Sequence, residues 1–524
     1  MGSLRGYYGL LHVSWILVRE GVVSSLPSQG LPPMLAFIKK IIGYLARRNV
    51  KDSDQKDRLA RAVERLGPSY VKVGQFLATR PDIVGKKIAD DLSFLQDRMD
   101  FFSMDSAKSF VEATLGHSIE ELYYDFGEPI AAASIAQVHP ATIKTSEGLK
   151  KVAVKIIRPG VRQRFFQDLQ VMYLVAHMQE RFIPSIRRLR PIEVTRTLEK
   201  STKIEMDLRL EAAALSEIAE NTAQDKGFRF PKVDWERTGR DVITMEWIDG
   251  IRISDIEGLR IAGYNLEHLS ATLIQSFLRH TLRDGFFHAD MHPGNLFVDP
   301  QGVIVAVDMG ITGRLSEKER RFLAEILYGF ISRDYQRVAN VHFEAGYVPS
   351  HHNPASFAQA IRAIGEPIHG QSAESISMGK LLTVLFEITE FFDMATRPEL
   401  ILLQKTMVVV EGVARMLNPK FNMWQTSEPV VTDWIYNHLG PKSVVTDLKG
   451  GIKTVLKFAQ MAPEISVKTE KFSQAVIDIT EKVLHSDLKK ETQSSAIRTF
   501  YHLSLQLALW IIAVSLACMV IYSQ

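Results

Sequence analysis

The chain is predicted to adopt an α+β fold, with strands gathered near its middle and helices before, between and after them. Three observations carry this. The stretch GEPIAAASIAQVHPATI (127–143), a Glu147-Gly148 turn and KKVAVKIIRP (150–159) form a strand, turn, strand unit. Asp241–Trp247 (DVITMEW) and the VIVAV run before Asp308 read as two further short strands. Elsewhere the apolar period is helical: Leu59, Val63 and Leu66 share one face, Phe166, Leu169, Met172, Tyr173, Val175 and Ala176 suggest a packed helix, and the chain from Arg320 to about Val483 is mainly helical without a repeat period.

The stretch Phe286–Gly310, FFHADMHPGNLFVDPQGVIVAVDMG, carries the chemistry. Asp290 and Asn295 flank a Pro-Gly turn, and Asp308 follows the VIVAV strand. Asp-x-x-x-x-Asn, strand, Asp-x-Gly is the spacing of a protein-kinase-like catalytic loop and metal loop. There one Asp orients or deprotonates a nucleophile, while Asn and the second Asp hold Mg²⁺ against the phosphates. Any one of these residues alone would read as a solvated turn residue. Three at this spacing, among Phe286, Phe287, Leu296, Phe297 and Val298, favour the functional reading.

The other elements follow in order. A helix from Lys56 is interrupted by Gly67-Pro68-Ser69, and on its continuation Lys72 and Gln75, three apart, share a face. Asp82–Arg98 continues as helix, and Phe110–Phe126 reads as another. Lys155, in VAVK, lies where a kinase-like fold places the lysine that contacts the α and β phosphates. The loop before it has Ala131, Ala132, Ala133 and Ser134 in place of Gly-x-Gly, so it is expected to grip a nucleotide more stiffly, with Ser134 offering a hydroxyl. After a helix over Gln163–Phe182, Val194–Glu220 reads as one long helix, with Asp207 and Glu211 four apart and Leu208, Ala212 and Leu215 on the buried side. Glu211 is the first choice of partner for Lys155 and Glu205 the second, although Glu205 could instead pair locally with Arg209. Glu246, Trp247 and Ile248 are placed at a hinge, offering backbone groups to an adenine. Leu266–Asp284 is an apolar helix leading into His288 and Asp290. After Gly310 no Ala-Pro-Glu segment follows, and a capped helix start is expected at Ser316. A protein-substrate docking platform is therefore not expected.

At 524 residues and 46% hydrophobic composition the chain has ample material for one or more cores. A net charge of +3, with basic residues spread rather than clustered with aromatics, argues against nucleic acid as a partner. The single cysteine, Cys518, excludes an intramolecular disulfide and a cysteine-based zinc site. Leu503–Tyr522 is uncharged over about the ~20 residues a helix needs to cross a bilayer. Lys489, Lys490 and Arg498 precede it, which places the large domain on the cytoplasmic side. Tyr7–Val23 reads as an amphipathic helix lying on a membrane or on the domain. The expected division is an amino-terminal amphipathic segment (1–35), a helical extension (36–115), a strand-bearing lobe with a helical insertion (116–248), a helical lobe (249–490), and a juxtamembrane segment with a transmembrane helix (491–524).

LGPSYVKVGQFLATRPDIV, the alanine loop before VAVK, the Glu205-Met206-Asp207 motif with Glu211, and HADMHPGN followed by DMG together resemble the UbiB family, also called ADCK-type coenzyme Q proteins, over roughly Leu59–Gly310. The resemblance implies a bilobal protein-kinase-like fold whose helical extension covers the active site, with Mg²⁺-dependent ATP binding and ATPase rather than protein kinase activity. It also implies a role in ubiquinone biosynthesis at a membrane. Residue by residue, Lys72 and Gln75 become the extension motif, and Ala131–Ser134 the alanine-rich loop. Glu205 and Asp207 become the acidic motif, Lys155 and Glu211 the ion pair, Asp290 the catalytic acid, and Asn295 and Asp308 the metal ligands. Anionic membrane lipid, quinone precursors, other ubiquinone-biosynthesis proteins and a second copy of the chain are the expected partners. The expected location is a bacterial inner membrane, with a mitochondrial inner membrane as the alternative. Met291, where many members have proline, and Met309, where kinases have the phenylalanine of Asp-Phe-Gly, depart from the pattern. Two other functions stay open. One is a small-molecule phosphotransferase of aminoglycoside-kinase type, whose loop resembles His-x-Asp-x-His-x-x-Asn, and the other is a nucleotide-binding pseudokinase scaffold.

Overall fold

The computed structural model describes residues 4–22, 55–78, 91–92, 100–182, 190–370, 388, 391–394 and 398–439. The expected helix over Asp82–Arg98, apart from residues 91–92, and the Leu503–Tyr522 segment lie outside them. Among the described residues no helix is long and apolar enough to cross a membrane. The chain forms two compact units, which divide after Leu315; Thr396–Phe421 returns to the first.

The first unit begins with α1 (Leu4–Arg19), α2 (Gln55–Leu66) and α3 (Pro68–Ala78). Helix α1 buries Leu10 and Val18, and a Cβ at Gly9 would run into Val171, so α1 lies on the domain itself. Gly67, at φ +97, breaks α2 from α3, and Pro68 opens the next helix, where its missing N–H is no loss. Helix α4 (Met104–Leu115) ends at Gly116, which takes the left-handed conformation, and Ser118 caps a separate turn at Ile119–Leu122. The single helix expected over Phe110–Phe126 is therefore broken: the glycine stops one helix, the serine starts a short second one, and Asp125–Phe126 is strand, paired with Thr142 and Ala141.

Strands β1 (Asp125–Phe126), β2 (Ala131–Ala132), β3 (Ala136–Thr145) and β4 (Gly148–Ile157) follow. Helix α5 (Val161–Phe182) comes next. The predicted helix over Val194–Glu220 is split into α6 (Pro191–Glu205) and α7 (Leu208–Asn221). Asp207 adopts an extended conformation and accepts the Arg209 backbone N–H at 3.2 Å, so it caps α7 rather than lying within a helix. After β5 (Phe228–Arg229), β6 (Val233–Asp234) and β7 (Val242–Glu246), an antiparallel sheet of order β1-β3-β4-β7-β6 is complete, with β2 also on β3. Val152, Val154, Ile156 and Val242 of this sheet pack on Ala107 and Val111 of α4.

Beyond β8 (Ile251–Arg252), α8 (Leu266–Arg279) ends five residues earlier than expected, in a wide turn over His280–Asp284 closed by left-handed Gly285. Strand β9 (Phe286–His288), β10 (Leu296–Val298), β11 (Ile304–Ala306) and β12 (Thr312–Arg314) carry the acidic loops. β9 pairs with β12, and β10 with β8 and β11. In the second unit, α9 (Glu317–Ile331) opens with the capping box predicted at Ser316: its side chain accepts from Glu319 N–H while Glu319 accepts from the Ser316 N–H. Helices α10 (Tyr335–Glu344) and α11 (Pro354–Gly370) follow, with a core of Tyr335, Val338, Phe357 and Ile361. Helix α12 (Pro398–Leu417) belongs to the first unit and packs on α8, and α13 (Met423–Leu439) to the second.

Candidate functional site

Lys155 lies at the inner end of β4, where Val154, Ile156 and Ile157 are buried on both sides of it. Its Nζ stands 2.7 Å from Glu211 Oε1 and 3.0 Å from Asp308 Oδ1. Glu211 reaches it because Leu208, Ala212 and Leu215 bury that face of α7. Burial works to discharge the lysine, but Asp308 and Glu211 outweigh it and hold its pKa above the ordinary value. Burial pushes Glu211 upward against the pull of Lys155. Of the two glutamates considered, Glu211 is thus the partner of Lys155.

Asp308 has φ 65, in the left-handed region that non-glycine residues seldom adopt. The Gly310 N–H donates to its Oδ1 at 3.1 Å. Burial would raise its pKa, yet Lys155 prevails and holds it at about 2, so the carboxylate is charged at neutral pH. Met291 and Met309, the two departures from the family pattern, are both buried.

The catalytic-type loop is braced from within. His288 Nδ1 accepts the Asp290 N–H at 3.1 Å, so its Nε2–H donates to the Val307 carbonyl at 3.2 Å. Burial lowers the pKa of this ring, which keeps it in the neutral form that can do both. Asn295 Nδ2 donates to the Asp290 carbonyl at 3.1 Å, while among the described residues no hydrogen bond reaches its Oδ1. The half-buried Asp290 carboxylate likewise has no hydrogen-bond partner among the described residues. A carboxamide oxygen and a charged carboxylate are the hard donors that Mg²⁺ takes, so Asn295 and Asp308 fit such an ion.

The helical extension reaches the same place. Lys72 Nζ lies 2.6 Å from Glu205 Oε2, with side chains only 15% and 10% exposed. Burial pushes Glu205 up, Lys72 pulls it down, and Asp308 and Lys155 are close enough to act on it as well. Gln75 is half-buried one turn further along α3. Arg209 does not pair with Glu205; it grips Asp207 at 2.9 and 2.7 Å, and those bonds hold Asp207 below the usual carboxylate range.

The alanine loop is a tight hairpin turn. Ala131 and Ala132 pair with Val138 and Gln137, Ala133 N–H donates to the Ala136 carbonyl at 2.8 Å, and Arg158 Nε donates to the Ala133 carbonyl at 3.1 Å. Ser134 is 1% exposed, buried in the turn. At the hinge, the Glu246 N–H donates to the Lys232 carbonyl at 2.8 Å and its carboxylate receives Arg229 at 3.0 Å. Glu246 therefore spends its N–H within the sheet, and Trp247 and Ile248 are half-buried beyond it.

Two supports were not read from the sequence. The Thr406 hydroxyl, buried on α12, lies 3.0 Å from the Ala289 carbonyl, one residue before Asp290, and 2.8 Å from the Leu402 carbonyl of its own helix, sharing its one proton between the two. Arg229 bridges Glu246 and Asp299, the latter at 3.1 Å. Neither lies in a motif, and their partners are 117 and at least 17 residues away in sequence.

Residues 94–342 match the ABC1 atypical kinase-like domain, and residues 361–422 the UbiB helical domain. A protein of Marinobacter nauticus named probable protein kinase UbiB is 36% identical over 461 residues, covering 87% of this chain and 84% of that one. Proteins of the same name from Aeromonas hydrophila, at 38% over 445 residues (84% and 81%), and Photobacterium profundum, at 35% over 493 residues (93% and 89%), are similarly close. A solved Mycobacterium tuberculosis protein, Rv3197, in complex with erythromycin aligns at 22% identity and TM-score 0.48 over 71% of this chain and 95% of that chain. With its kinase-like mix of helix and sheet, the chain belongs to the UbiB family of ABC1 atypical kinase-like proteins.

Proposed function

We propose that this chain binds Mg-ATP and releases phosphate in a covered, kinase-like site, and that this turnover supports ubiquinone biosynthesis at a membrane. The observation that carries the reading is Lys155 joined to both Glu211 and Asp308, beside an Asp290 carboxylate and an Asn295 Oδ1 with no hydrogen-bond partner among the described residues. Bound to Asn295 and Asp308, Mg²⁺ would supply charge neutralisation for the phosphates. Lys155 offers them an ammonium kept in place by Glu211. Asp290 is free to orient an attacking water, and His288 fixes the peptide that carries it. The Lys72–Glu205 pair ties the extension to this site, and the chain passes from Gly310 through β12 straight into α9, without a long segment to seat a protein substrate. Water is thus a better acceptor than a protein hydroxyl.

The uncharged Leu503–Tyr522 segment supports a membrane location, in the reading a bacterial inner membrane with the kinase-like domain cytoplasmic, where anionic lipid and quinone precursors are at hand. The test is Mg²⁺-dependent phosphate release by the full-length chain with and without anionic vesicles. Asp308→Asn is expected to reduce release at least about a hundredfold, the scale of losing one preorganised charge-stabilising group. Unchanged release would refute an ATPase. Nucleotide binding without release, in the wild type, would instead identify a scaffold. A deletion strain whose quinone pool stays normal would remove the pathway assignment.

A further inference from the structure

In the second unit, far along the chain from the kinase-like motifs, two imidazoles and a carboxylate converge. His351 and His352 lie in the turn before α11, and Asp393 comes 41 residues later than His352. One ligand atom from each lies within 4.8 Å of the other two. His352 Nε2 is 3.2 Å and His351 Nε2 3.7 Å from the same oxygen, Asp393 Oδ2, and the two rings are 4.2 Å apart. We propose that these three side chains form a binding site for a zinc-like divalent ion, separate from the Mg²⁺ ligands Asn295 and Asp308.

The spacing suits a small tetrahedral ion. With metal–ligand bonds near 2.0–2.2 Å, neighbouring ligand atoms of a tetrahedral site stand roughly 3.4 Å apart. The two His–Asp separations bracket that value, so only small side-chain shifts would bring the ring nitrogens and a carboxylate oxygen onto one ion. The donor set also discriminates. Two imidazoles with one carboxylate suit Zn²⁺, Ni²⁺ or Cu²⁺, whereas Mg²⁺ prefers oxygen.

Two further features hold the ligands ready. His352 is packed against Phe392, ring centroids 5.2 Å apart, and Phe392 belongs to the buried core with Phe357 and Ile361. Asp393, the residue after that anchor, has φ 49, one of four non-glycine residues with positive φ among those described. Aspartate is among the few non-glycine residues that take up left-handed backbone readily. From this position its Oδ2 meets both histidines. A fourth position remains for water or another ligand, as in zinc sites with three protein ligands. Bound there, the ion would clip the turn before α11 to the segment that follows Phe392.

The test titrates the full-length chain, in excess Mg²⁺, with Zn²⁺ against a chromophoric chelator, and repeats it with Co²⁺ to read the ligand field in the visible spectrum. His351→Ala removes an exposed ring, and Asp393→Asn keeps a side chain that tolerates positive φ, so both leave the core intact. The expected result is one Zn²⁺ per chain above the background of a His351→Ala/His352→Ala/Asp393→Asn chain, weakened about tenfold or more in each single variant, since even outer-shell changes weaken zinc that much. The Co²⁺ bands should disappear with the same substitutions. Wild-type uptake equal to that of the triple variant, or single variants that keep the wild-type affinity, would overturn the proposal.

Discussion

Replacing Lys72 by alanine leaves the Glu205 carboxylate buried with its nearest cation gone. With the two side chains only 15% and 10% exposed, the pair is far from the solvent-screened regime in which an ion pair is worth at most about 1 kcal/mol. Removing one partner of a buried pair typically costs about 3–5 kcal/mol. That energy should appear as easier opening of α3, read by amide hydrogen exchange, as a loss of roughly two to four orders of magnitude in protection. Lys72→Met/Glu205→Leu removes both charges at similar volume and should recover most of the loss. The pH dependence has a defined sign. Burial already holds the Glu205 pKa above its ordinary value, and loss of Lys72 raises it further. A carboxyl with a raised folded-state pKa contributes stability below the ordinary carboxylate range and loses it as pH rises through the folded value. The Lys72→Ala deficit should therefore shrink on acidification. Protection of α3 within about threefold of wild type, or strictly additive effects in the double variant, would refute the reasoning.

Three further outcomes are expected. In Gly313→Ala the new Cβ would run into the Phe287 ring across the β9–β12 pair; overpacking of about 1–3 kcal/mol should lower the melting temperature and, by shifting the strand before Asp290, phosphate release too. Thr406→Val should cost about 1 kcal/mol and lower kcat more than nucleotide affinity, because it leaves the Ala289 carbonyl without its donor. His342, whose Nδ1–H donates to the Val338 carbonyl at 2.7 Å, is held by burial at about 4. Its neutral form stabilises α10 fully above the ordinary histidine value, and that stability is lost as pH falls from about 6.5 to about 4, by at most about 3 kcal/mol since the residue retains some contact with water. Amide exchange of α10 against pH measures it, and His342→Gln should flatten the profile.

Much of the candidate site was legible because its parts are local. Asp290 and Asn295 lie on the turn before β10, and Asp308 on the tight loop after β11, an order written in consecutive residues. The helix boundaries were harder. Periodicity ran Val194–Glu220 together because Glu205, Asp207 and Glu211 all suit a helix surface, whereas an extended backbone at Asp207 makes that residue a cap. The same effect hid the stop at Gly116.

By itself the sequence determined the kinase-like order of elements, the strand lysine, the two acidic loops and the uncharged carboxy-terminal stretch, since each depends on residue type at short range. Only the tertiary structure decided which glutamate holds which lysine. Glu211 meets Lys155 and Glu205 meets Lys72 because a break between α6 and α7 turns two acids of one apparent helix toward different partners. It also decided that Thr406, 117 residues away, supports the peptide before Asp290, and that His351, His352 and Asp393 converge. Such pairings depend on where distant backbone segments pack, and a pattern along the chain carries no term for that distance.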